Sequence, residues 1–147
     1  MKRISAWLCL IFILICTHSS YAQKKTTPTL REGTHNFTLQ WISWDKPGKV
    51  QIRKKNKNTY TIKGEQRDAQ SNSFVTIDGT LKVASATELI FTGTIMSLYE
   101  SINEGNVCER TGTYHFLAKG ARKYWRLQEM ENCEGNNVTD YIDIYFN

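Results

Sequence analysis

The sequence predicts an all-β chain: an up-and-down antiparallel barrel, or half-barrel, of about eight strands with one disulfide. Three observations predict it. Short segments of alternating apolar and polar residues, separated by turn residues, follow one another through most of the 147 residues. No segment has the apolar stripe of an amphipathic helix three turns long. Glycine followed by threonine and an apolar residue recurs in three successive segments, at Gly79, Gly93 and Gly112. A glycine inside a strand marks a bulge or sharp bend, which a small barrel needs to turn its corners.

Residues 1–22 read as a secretory signal peptide. Lys2 and Arg3 form the positive region, the apolar run spans Ile4 to Cys16, and Ser20, Tyr21 and Ala22 form a small-x-small cleavage site. That run is short of the ~20 apolar residues that span a bilayer, so no transmembrane segment is expected. Removing Lys2 and Arg3 from the formal net charge of +5 leaves +3, a mildly basic chain. Residues 23–36 are polar, contain Pro28 and lack a period. They read as a flexible leader with room for a short strand near its end. Residues 37–147 form one domain, large enough for a real core.

Within that domain Phe37, Leu39 and Trp41 share a face, and the run ends at the turn Asp45, Lys46, Pro47, Gly48. Val50 and Ile52 alternate with Lys49, Gln51 and Arg53. Tyr60 and Ile62 share a face in the next run. Two longer strands follow over residues 74–84 and 88–96, interrupted at Gly79 and Gly93. The last strand covers residues 138–146. Mostly short loops favour pairing of consecutive strands.

Of four cysteines, Cys9 and Cys16 leave with the signal, and Cys108 and Cys133 remain. A pair of cysteines in an exported chain reads as a disulfide. Local pattern supports it. A hairpin centred between Gly120 and Ala121 places Phe116 opposite Trp125, Tyr114 opposite Leu127, Arg110 opposite Glu131 and Cys108 opposite Cys133. The expected location is secreted or periplasmic. Asn36 and Asn137 each begin a glycosylation sequon, which matters only in a eukaryotic secretory pathway.

This strand pattern resembles the lipocalin-like, or calycin, group of small secreted β-barrels. The resemblance implies an up-and-down barrel able to hold a small apolar or amphiphilic ligand. The lipocalin Gly-x-Trp signature is absent, because Leu39 stands where the glycine would precede Trp41. Residues 123–146 also resemble the end of uncharacterised exported bacterial proteins.

Motifs for catalysis are missing. There is no nucleophile elbow, no phosphate-binding glycine loop and no dinucleotide fingerprint. No Cys or His spacing suits a metal. An enzyme, a metal and a cofactor are therefore not expected. His115 alternates with Tyr114 and Phe116, so it points away from that apolar face. Trp125, Leu127, Glu129 and Glu131 share one face of their strand, and Val138, Asp140, Ile142 and Ile144 share one face of the next. Pairing of the two apolar sets puts either Glu129 or Glu131 opposite Asp140. Arg110 joins these acids from across the previous ladder. The candidate ligand site is thus Arg110, Glu129, Glu131 and Asp140 as polar contacts, with Trp41, Tyr114 and Trp125 as apolar wall. The same residues also fit a solvated rim where a barrel opens.

Lys49, Arg53 and Lys55 form an outward positive stripe suited to an anionic surface or glycan. The same charges fit an edge protected from strand pairing. Export disfavours nucleic acid as a partner. Two functions follow. One is a secreted binding protein with a small ligand in, or at the mouth of, the barrel. The other is an interaction protein with a filled core that binds a protein or glycan partner through its outer face. Lysine and arginine on the outer face of the second strand disfavour a membrane-spanning barrel.

Overall fold

A computed structural model describes residues 29–146. The signal peptide expected over residues 1–22 and the leader up to residue 28 lie outside the described residues. Eight strands follow in order: β1 Gly33–Leu39, β2 Gly48–Lys54, β3 Thr59–Arg67, β4 Phe74–Val83, β5 Glu88–Leu98, β6 Cys108–Leu117, β7 Tyr124–Leu127 and β8 Ile142–Tyr145. Each pairs antiparallel with the next, and β8 returns to pair with β1, so the sheet closes into a barrel. A short 3₁₀ turn at Asn103–Gly105 is the only helical element among the described residues.

Alternation explains which side chains fill the interior. Val50 and Ile52 of β2, Tyr60 and Ile62 of β3, and Leu89, Phe91 and Ile95 of β5 are fully or almost fully buried. They form one cluster with Phe37, Leu39, Val75, Ile77, Leu81, Val83, Phe116, Leu127, Ile142 and Ile144, none more than 3% exposed. An eight-stranded barrel encloses an interior just wide enough for such side chains to fill.

The repeated glycines stand in one row. Gly93 lies opposite Gly79 in β4 and opposite Gly112 in β6. A Cβ on Gly93 would lie 2.2 Å from Asp78 O, and one on Gly79 would lie 2.7 Å from the Phe91 ring. The row therefore lets the strands bend inward under Phe91. Outside it, threonines pair across the same strands: Thr92 with Thr113, and Thr94 with Thr111 at 2.8 Å between hydroxyls.

β1 begins at Gly33, so the strand near the end of the leader is the first half of β1. His35 is buried there, its ring nitrogens 3.2 Å from Tyr145 O and 2.9 Å from Arg31 O. Trp41 follows β1 in a turn, where Ile42 N–H donates to Leu39 O. It packs against the core from there and not from within the strand.

The β6–β7 hairpin needs a correction. Its turn is where the sequence puts it, with Arg122 N–H donating to Lys119 O, and the Cys108–Cys133 bridge closes its far end. Between these points Phe116 faces Leu127, not Trp125, and Leu117 faces Arg126. The chain takes up two residues after the turn and gives them back beyond β7. A two-residue offset keeps every side chain on its expected face, so the alternation alone could not detect it. In the β7–β8 ladder Trp125 faces Ile144.

Candidate functional site

The inner face of β6 carries Cys108, Arg110, Gly112, Tyr114 and Phe116, so Arg110 is a cation pointing inward near one barrel mouth. Beyond Leu127 the chain leaves the ladder and Met130 N–H turns back to Gln128 O. Arg110 occupies the resulting gap. Its Nη1 donates to the main-chain oxygens of Glu129 and Glu131, at 3.2 and 2.8 Å. Its Nη2 pairs with Asp140 Oδ2 at 2.9 Å, the two side chains only 11% and 2% exposed. Trp41 Nε1 and Asn132 Nδ2 donate to the other Asp140 oxygen, at 3.0 and 3.1 Å. Arg110 Nε is buried without a partner. Protein donors thus occupy both Asp140 oxygens. The cluster closes this mouth as an ionic plug, beside a second plug in which Gln66 accepts from Leu39 N–H and donates to Ser43 O and Lys46 O.

Of the residues expected to form one site, the structure joins Trp41, Arg110 and Asp140. Tyr114 lies inside the barrel, stacked on Phe91 at 6.1 Å. Trp125 lies at the opposite mouth, edge-on to Phe146 at 5.9 Å. Glu129 and Glu131 are exposed, contrary to the expected inward placement. They sit where the chain departs from the ladder, so strand alternation no longer governs them. Glu129 instead accepts from both the ring Nδ1 and the backbone N–H of His115, at 2.7 and 2.8 Å. That hydrogen bond raises the His115 pKa. For Glu129, burial acts upward, but hydrogen bonds, those from His115 foremost, and the attraction of that ring leave the carboxyl pKa lowered.

A second cluster went unrecognised in the sequence. Arg126 points outward from β7 and binds Asp143 of β8 through Nε and Nη2, both at 2.8 Å. Asp143 is fully buried although it faces outward. Three aromatic rings cover the guanidinium: Tyr141 at 4.5 Å, Tyr124 at 4.9 Å and Trp44 at 5.6 Å. The ion pair holds its pKa up. Trp44 and Tyr141 remain 43% and 37% exposed. A signal was available: the pairing that puts Glu129 opposite Asp140 also puts Arg126 opposite Asp143, a lone acid between Ile142 and Ile144.

Three open volumes border the barrel. A cleft of about 590 Å³ at the second mouth is lined by Arg122, Lys123, Trp125 and Phe146. Two shallow grooves on the outer face, about 370 and 410 Å³, share Lys63 and Asp78. Arg53 lines the smaller of them, while Lys49 is held by Asn36 and Lys55 lies in the turn after β2. Among the described residues no cluster of His, Cys, Asp and Glu could hold a metal ion. No helix among them is long and apolar enough to cross a membrane.

The model of the PM1083 family matches residues 19–146. The chain is 46% identical over 115 residues to the uncharacterised protein PM1083 of Pasteurella multocida (strain Pm70), covering 78% of this chain and 72% of that one. No solved structure matches the chain, so its resemblance to lipocalin-like barrels rests on strand pattern alone.

Proposed function

We propose, from the premise that this chain belongs to the PM1083 family, that it is an exported interaction protein whose filled barrel binds a protein partner through its outer face. The Cys108–Cys133 disulfide is compatible with an extracellular or periplasmic location. One observation carries the reading: Trp44, Tyr124 and Tyr141 gather around Arg126 on the outside of the barrel. Interface hot spots are enriched in Trp, Tyr and Arg, and hold these residues rigidly in place before the partner arrives. Here the ion pair with buried Asp143 fixes the guanidinium, and the rings pack on it. The buried aromatic and aliphatic side chains packed in the interior favour an outer-face partner over a ligand held within the barrel.

The test is cross-linking in the cell envelope from a photoreactive residue in place of Tyr141. Lys82, exposed on β4 and across the closed barrel from β8, serves as the control position. One dominant protein adduct from position 141, absent from position 82 and lost with Trp44→Ala, supports the reading. Equal adducts from both positions, or none from either, would end it.

A further inference from the structure

We propose that the cleft at the Phe146 mouth binds one anionic amphiphile: a carboxylate or phosphate ester on an apolar body. The proposal stands apart from the outer-face reading, because none of the four side chains that line the cleft belongs to the Arg126 cluster. The cleft volume of about 590 Å³ falls within the roughly 300–1,000 Å³ common for small-ligand sites.

Its lining has two kinds of side chain. Arg122 and Lys123 are adjacent, exposed cations, and neither has an acidic partner among the described residues. The Arg122 guanidinium lies 5.6 Å from the Tyr124 ring centre, which holds it beside the cleft. Trp125 and Phe146 meet edge to face, and both pack on the barrel core. The Trp125 indole N–H has no acceptor among the described residues. A cationic pair and an unused N–H donor thus stand beside two aromatic walls. An anion satisfies the donors, and its apolar part covers the rings.

The surroundings set the limits of the ligand. His35 packs on the other side of Phe146 at 4.7 Å, and Leu30 and Tyr60 close the barrel beneath. The apolar part therefore lies across the mouth and does not enter the barrel. The ligand could come from solution or from an anionic lipid surface, with the same contacts.

The experiment titrates the exported chain, disulfide intact, with decanoate, decanol, inorganic phosphate, and vesicles of phosphatidylglycerol or phosphatidylcholine. Calorimetry and tryptophan fluorescence read the binding. Saturable one-to-one binding of decanoate is expected, at least about tenfold weaker with decanol and with phosphate. Binding to phosphatidylglycerol but not phosphatidylcholine vesicles supports the same site and identifies a lipid source. R122Q/K123Q should weaken decanoate binding by about tenfold or more with thermal stability unchanged. Trp44→Ala should leave it intact. The proposal is overturned if decanol or phosphate binds as well as decanoate. It is also overturned if the double variant retains binding, if Trp44→Ala removes it, or if neither decanoate nor vesicles bind.

Discussion

Arg126 lies directly opposite Asp143 in the β7–β8 ladder, and each oxygen of that carboxylate accepts a bond from the guanidinium. The ladder is only three residue pairs long, so this pair supports the seam between β7 and β8. The side chains are 15% and 0% exposed. Removing the cation strands a buried carboxylate, a loss of about 3–5 kcal/mol. We expect Arg126→Ala to lose that much in urea unfolding. Arg126→Lys should recover only part of it, because an ammonium cannot reproduce the two-pronged fit. Arg126→Met with Asp143→Leu should lie closer to wild type than either single variant. A double variant as unstable as Arg126→Ala would show that the charge pair is not what holds the seam.

Asp140 gives a parallel case at a barrel mouth. Asp140→Ala leaves Arg110 buried with its Nε already unpartnered, and also frees the Trp41 and Asn132 donors. The expected loss is about 3–5 kcal/mol. Trp41 should report it as a fluorescence shift, since its indole N–H loses its acceptor. Unchanged stability would mean that water replaces the plug at no cost.

The disulfide joins residues 25 apart in sequence. In the chain-entropy model a loop of that size stabilises by roughly 3–4 kcal/mol. Cys108→Ala with Cys133→Ala should lower the urea midpoint by the corresponding amount while far-ultraviolet circular dichroism stays that of a β-barrel. Loss of the β signal would show that the bridge is needed to form the barrel at all.

His115 and Glu129 should titrate as a pair. The folded His115 pKa is raised, so its contribution is complete below the unfolded value of about 6.5 and fades as pH rises through the folded value. The folded Glu129 pKa is lowered, so its contribution is complete above about 4.3 and fades as pH falls through the folded value. The bond is therefore strongest between those limits, around pH 5–6. Both side chains are about two-fifths exposed, which keeps the effect small. Proton NMR should place the His115 midpoint above 6.5, and Glu129→Gln should bring it down. An unmoved midpoint would mean that the bond does not persist in solution.

These sites differ in how far the sequence reveals them. Val50, Ile52, Tyr60 and Ile62 alternate cleanly, so their strands and inner faces are legible. The disulfide follows from a hairpin whose turn and far end are both correct. Glu129 and Glu131 escape alternation because it describes ladders, and the chain leaves its ladder after Leu127. Asp143 is not legible because alternation makes an outward position look exposed, whereas this one is fully buried. Thr38 breaks the same rule, outward yet 1% exposed beside Tyr145. His35 is hard to place from sequence because a strand can begin among polar residues when its partners, β2 and β8, are supplied from elsewhere in the chain.

The glycine row gives the sharpest steric prediction. A Cβ on Gly93 would lie 2.2 Å from Asp78 O and 2.6 Å from the Gly79 Cα. Both atoms belong to the backbone of the neighbouring strand, so relief requires β4 and β5 to separate where they pair. Overpacking commonly costs about 1–3 kcal/mol, and a backbone clash belongs at or above the upper end. Gly112 differs: an added Cβ would meet the Tyr114 hydroxyl oxygen at 3.3 Å, and that side chain can shift. Gly135 differs again, with open space around it but a φ of +70°, where any other residue costs roughly 1–2 kcal/mol. Urea unfolding should therefore rank Gly93→Ala as the most damaging, at about 3 kcal/mol or more, with Gly112→Ala and Gly135→Ala both milder. If Gly93→Ala proves as stable as Gly112→Ala, the strands do not approach as closely as the row implies. The bend under Phe91 would then need another cause.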